Sequence, residues 1–128
     1  GILAAIALPN FLNQANRAKQ TEATNQLGAV NRAQQAFRLD HTQFATAFGQ
    51  LELGLTTSTE NYKYTVEGAG DLTATAIADA KDSTLNGFAG SILQNENDGV
   101  LMEVCEGDGS TGVTTSLSTS GSGAITCP

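Results

Sequence analysis

Residues 10–48, NFLNQANRAKQTEATNQLGAVNRAQQAFRLDHTQFATAF, carry the pattern that decides the fold. Leu12, Ala15, Ala23, Leu27, Val30, Phe37, Phe44 and Phe48 recur at spacings of three, four or their sums, the period of an amphipathic helix. At about 100° per residue they fall within a wedge of roughly 120°. Arg17, Arg32 and Arg38 fall in another wedge, centred about 145° away. The pattern predicts a helix from Asn10 to about Ala47, with Gly28 as a mild weak point and Gly49 as its terminator. Such a helix is about 57 Å long, and one small domain cannot cover both of its ends. The expected division is therefore a projecting half, residues 1–24, and a globular head, residues 25–128.

Upstream of the helix stands Gly1-Ile-Leu-Ala-Ala-Ile-Ala-Leu-Pro9. An eight-residue apolar run is far short of the about 20 residues that cross a bilayer. It reads as the last turns of a longer apolar helix, with a buried helix start or a signal-peptide tail as alternatives. Inside a helix Pro9 removes one hydrogen bond and crowds the preceding turn, at about 3 kcal/mol. A kink or unwinding across residues 1–9 is the expectation.

Downstream the period changes from helix to strand. After a polar connector, Thr56–Asn61, Tyr62–Val66 alternates with Tyr62, Tyr64 and Val66 on one face. A Gly68–Asp71 turn and an alternating Leu72–Ala78 complete a hairpin. Phe88–Gln94 and Val100–Val104, joined through the tight-turn pair Asp98-Gly99, add two more strands. The fold class is α+β: a long N-terminal helix whose apolar stripe packs on a four-stranded antiparallel meander, followed by a C-terminal loop closed by a disulfide.

That disulfide is the favoured reading of Cys105 and Cys127, with two separate buried thiols as the alternative. A bridge closes a loop of about 20 residues and stabilises by roughly 3 kcal/mol in the chain-entropy model. The stretch it spans is mostly Gly, Ser and Thr, with little to hold a fold of its own. A structural disulfide places the protein outside a reducing compartment. The hydroxyls of 110–126 are candidate sites for O-linked sugar.

The chain has 128 residues, enough for one core. Hydrophobic residues make up 40%, which excludes disorder throughout; aromatics are only 5%, so the core is thin and aliphatic. The net charge of −7 argues against sequence-specific nucleic acid as a partner. The charge is uneven, however. Residues 1–40 hold Arg17, Lys19, Arg32 and Arg38 against Glu22 and Asp40, while most of the acids follow. The two parts attract one another, within one molecule or between copies, which makes Arg17, Lys19, Arg32 and Arg38 candidates for charge contacts between subunits.

No catalytic residue is assigned. The single His41 reads as a solvated helix residue, and no nucleophile–base set, phosphate loop or dinucleotide motif is present. Asn95–Asp98 and Glu106–Asp108 lack the spacing of a calcium loop. No metal, and no cofactor, is expected.

Gly1–Pro9, followed by Asn10-Phe-Leu-Asn-Gln-Ala15 and the basic Arg17 and Lys19, resembles the N-terminal helix of bacterial type IV pilins, of the type IVa kind. Asn31–Phe37 and Thr59–Tyr62 resemble major pilins of cyanobacteria. Pilins begin with a basic leader and a Phe-Thr-Leu-Ile-Glu segment, which are not present. The sequence enters the pattern about a dozen residues late, so a removed start is expected; with residues 1–8 it would make about 20 residues, enough to span a bilayer.

The resemblance implies a structural subunit with no enzymatic role. Its helix anchors in the inner membrane as a precursor, and assembly machinery then packs it in the core of an extracellular, cell-surface filament. The core-packing residues implied are Ile2, Leu3, Ile6, Leu8, Pro9, Phe11 and Leu12. The partner is further copies of the same chain in a helical homo-oligomer serving motility, adhesion or DNA uptake. Two other readings are a pseudopilin of type II secretion and a secreted module that binds through its Ser/Thr-rich loop.

Overall fold

The computed structural model describes residues 2–52, 54, 56–67, 72–95 and 99–107. Cys127 and the 110–126 stretch lie outside the described residues. The element order is helix α1 (Ile2–Asp40), a short 3-10 turn (Phe48–Leu51), then strands β1 (Tyr62–Glu67), β2 (Thr73–Ala80), β3 (Phe88–Asn95) and β4 (Gly99–Glu106).

The four strands pair antiparallel in the order β1-β2-β3-β4, the meander expected from their alternation. The register sets Tyr64 opposite Ala78, Ala76 opposite Gly90 and Gly90 opposite Val104. Residues directly opposite share a face. One face therefore carries Tyr62, Tyr64, Ala76, Ala78 and Phe88, which pack with Ala23, Leu27 and Val30 of α1 into the main core. These side chains come from both periods, 2 in the strands and 3.6 in the helix. Beside them Phe44, Ala74 and Ile92 form a smaller cluster. The other face also buries Ile77, Ala89, Ser91, Leu93 and Cys105.

The helix lies close against the sheet at Gly90. A Cβ there would stand 3.1 Å from Leu27 Cβ and 3.3 Å from Asn31 Nδ2. The missing side chain is what lets the helix backbone lie this close to β3.

Two expectations about α1 need correction. The helix runs unbroken from Ile2 through Pro9, so the unwinding expected over residues 1–9 is not present in the single chain. A lone proline removes one hydrogen bond, and the alanines before it have high helix propensity. The helix also stops at Asp40, not near Ala47. His41 N–H donates to the Phe37 carbonyl at 3.0 Å, and the His41 ring Nδ1 lies 2.9 Å from the same oxygen. The ring stacks on Phe37 with centroids 3.9 Å apart. His41 thus closes the last turn, satisfying a carbonyl that a helix end leaves without a partner.

Phe44 and Phe48 are buried, as their hydrophobicity demands, but from the connection that folds back after the helix. Buried Gln34 holds that connection: Ala45 N–H donates to its Oε1 at 2.8 Å, and its Nε2 donates to Ala45 O at 2.9 Å. Gln50 Oε1 accepts from Thr46 N–H at 2.8 Å and Ala47 N–H at 3.1 Å, starting the 3-10 turn. Gly49 lies inside that turn and terminates no α-helix.

Candidate assembly surface

Burial along α1 is one-sided in sequence as well as around the axis. Asn13, Gln14, Arg17, Ala18, Lys19 and Thr21 are exposed, and Ala15, Asn16 and Gln20 are partly so. Among the described side chains, the first fully buried position is Ala23, followed by Leu27, Val30, Asn31 and Gln34. From Asn13 to Glu22 no helix side chain is fully buried by the sheet. Ile2, Leu3, Ile6, Leu8, Pro9, Phe11 and Leu12 all lie on this same helix.

Where the rod enters the head it is fastened by Glu22. Thr59 Oγ1 donates to Glu22 Oε1 at 2.6 Å, Asn61 Nδ2 to Oε2 at 3.1 Å, and Tyr64 OH to Oε1 at 3.3 Å. Partial burial pushes the carboxyl upward, but the hydrogen bonds from Thr59, Asn61 and Tyr64 together outweigh it and hold the group below its ordinary value. The same carboxylate acts on the tyrosines: burial, and then the Glu22 charge, push Tyr62 up to about 12 and raise Tyr64 as well. Gln26 Nε2 donates to Thr56 O at 3.0 Å, a second tie between helix and connector.

The four basic residues part company. Arg17, Lys19 and Arg32 are exposed. Lys19 lies close enough to Asp82 to help lower its pKa, after the larger effect of backbone and side-chain hydrogen bonds from Thr84. Arg38 is only partly exposed and lies over the Phe44 ring at 5.5 Å, a cation–π contact within the head. Arg38 therefore makes contacts of its own inside the subunit. It sits toward the packed side of the helix because that side is centred nearer Leu27 and Gln34 than the apolar wedge of the sequence implied.

Three further features of this surface were not read from the sequence. Leu39 is 84% exposed, an apolar side chain standing bare at the helix end. Leu101 and Met102 are exposed on β4, the last strand of the sheet order. An open groove lies where the end of α1 meets the 3-10 turn, lined by Ala33, Phe37, Asp40, His41, Leu51 and Glu52 among others. Glu52 stands at its margin with φ 51°, a left-handed backbone uncommon for a residue with a Cβ.

Among the described residues no group of His, Cys, Asp and Glu is arranged to hold a metal ion. Glu96–Asp98 and Asp108, parts of the two acidic stretches noted in the sequence, lie outside the described residues. Among the described residues, no helix is long and apolar enough to cross a membrane.

A family model described as type IV pilin-like G and H matches residues 20–128. No curated protein and no solved structure matches the chain. The matched span begins at residue 20, so the end of the helix and the sheet carry it, independently of residues 1–19. The fold agrees, with one long N-terminal helix laid on a four-stranded antiparallel sheet. A model matched over this much of the chain settles the family: the chain belongs to the type IV pilin-like G and H proteins, a family of structural subunits.

Proposed function

We propose that this chain is the structural subunit of a type IV pilus and polymerises through its N-terminal helix into an extracellular filament. The observation that carries the reading is the run of exposed and half-exposed helix residues from Asn13 to Glu22, with Ala23 following as the first buried one among the described side chains. A helix stretch left bare in one subunit finds its cover in other copies. Head-to-tail contacts of this kind do not close on themselves and yield an open filament.

In this reading residues 1–24 form the stalk and residues 25–128 the head. Ile2, Leu3, Ile6, Leu8, Pro9, Phe11 and Leu12 pack in the filament core. The subunit resides in the inner membrane before the pilus machinery assembles it, and the filament serves motility, adhesion or DNA uptake. Cys105 and Cys127 pair to close the C-terminal loop. Burial of Cys105 to 1% exposure supports this, as does the lack of a free cysteine among the described residues.

Electron microscopy of surface fibres from wild-type and deletion cells, with intact-mass measurement of the fibre subunit, tests the proposal. Fibres composed of this chain, lost on its deletion and two hydrogens lighter than the reduced subunit, are expected. A subunit that stays monomeric after membrane extraction, in cells whose fibres survive the deletion, would overturn it.

A further inference from the structure

We propose that the groove at the end of α1 receives the Arg17 face of a second copy, so that Arg17 of one subunit lies between Asp40 and Glu52 of another. This deepens the filament reading and rests on it. The groove has an apolar floor in Ala33, Phe37 and Leu51, with carboxylates at its margin in Asp40 and Glu52. Asp40 and Glu52 are both exposed, and so is Arg17. An arginine suits such a site: its stem covers apolar surface while its guanidinium pairs with carboxylates.

The contact cannot form within one molecule. Arg17 and Asp40 lie on one unbroken helix, separated along its axis by about 35 Å at 1.5 Å per residue. Around that axis they stand about 140° apart at 100° per residue. This is the relation needed between two copies that lie parallel and are displaced along the axis. One copy presents its groove side, and the other meets it with nearly the opposite side. The same step repeats with a third copy, because every subunit carries both surfaces. The pairing therefore sets an axial displacement of about 35 Å between the two subunits it joins. Lys19 and Arg38 are less suited, since Lys19 lies near Asp82 and Arg38 lies over Phe44.

Charge exchange tests this in cells that make the fibre. R17E and the double variant D40K/E52K are each expected to lower sheared-fibre yield at least about tenfold, with unchanged subunit level and melting temperature. Combining all three substitutions is expected to restore most of the yield. Normal fibres from R17E, or no recovery in the combined variant while its subunit remains folded, would overturn the pairing and leave the filament reading standing. If the wild-type chain is not in fibres at all, the filament reading fails and the pairing with it.

Discussion

Glu22 is the residue on which the rod-to-head joint turns. It is the only acid before Asp40 in the sequence, and it accepts from three side chains more than 35 residues away. Replacing it with alanine leaves three donors without their acceptor and is expected to cost about 1–2 kcal/mol, given that the site is partly solvated. Chemical denaturation of E22A, with a double-mutant cycle through Thr59, measures it; a cycle with no coupling would rule out the joint. Because the folded pKa lies below the unfolded value of 4.5, the stabilisation is fully present above pH 4.5 and fades as pH falls through the folded pKa. E22Q is expected to lose that acid dependence.

The tyrosines give the opposite sign at high pH. Tyr62 is raised from 10.0 to about 12, so its contribution is complete below pH 10 and fades as pH rises toward 12. The chain has two tyrosines and both are buried. Tyrosinate absorbance of the folded protein is therefore expected to appear only at about pH 11 or higher, and stability to decline from pH 10 upward. An ordinary titration near pH 10 in the folded state would contradict the burial of both hydroxyls behind Glu22 and Asn86.

Among elements, the contact of α1 with β3 and the turn after α1 are the two that depend on single residues. Adding a methyl at Gly90 forces Leu27 or Asn31 to give way, and both are buried. G90A is expected to destabilise by about 1–3 kcal/mol, the range for overpacking a filled site; an unchanged denaturation midpoint would mean the helix is free to ride up. At the turn, Gln34 satisfies both backbone groups of Ala45, and Phe44 is held in the core beside them. Q34A leaves a buried N–H and C=O without partners and is expected to cost about 1–3 kcal/mol, with hydrogen exchange rising first at Ala45. Uniform loss of protection over the whole chain would assign Gln34 to the global core instead.

For the molecule as a whole, the distribution of burial separates folding from assembly. Among the described side chains of α1, those from Asn13 to Glu22 are exposed or only partly covered, and removing residues 1–20 is expected to leave head stability within about 0.5 kcal/mol. The same removal should abolish incorporation into fibres. A large drop in melting temperature would show that the stalk belongs to the head's core. Reduction of the proposed Cys105–Cys127 bridge acts on the other end of the chain and is expected to lower stability by about 3 kcal/mol, read by parallel melts with and without reductant.

The sequence by itself determined what depends on period and residue type. The spacing of Ala23, Leu27 and Val30 placed the helix face that is buried, and the alternation at Tyr62, Tyr64 and Val66 placed the strand face that meets it. Four alternating runs with turn residues between them sufficed for the meander, since consecutive strands pair through short connections. What only the tertiary structure decided depends on groups distant in sequence. Phe44 and Phe48 continue the helical spacing, yet the chain leaves the helix at Asp40. His41 and Gln34 satisfy the backbone there, and a folded-back connection buries the same phenylalanines. The arginine stripe looked uniform, but Arg38 lies over Phe44 and Arg17 stays exposed, because the packed side of the helix is set by the sheet beneath it. The Glu22 joint and the groove beside Asp40 and Glu52 were invisible for the same reason. Hydrophobic period is a local property of a chain, whereas polar partnership exists only once the helix, the connector and the strands stand next to one another.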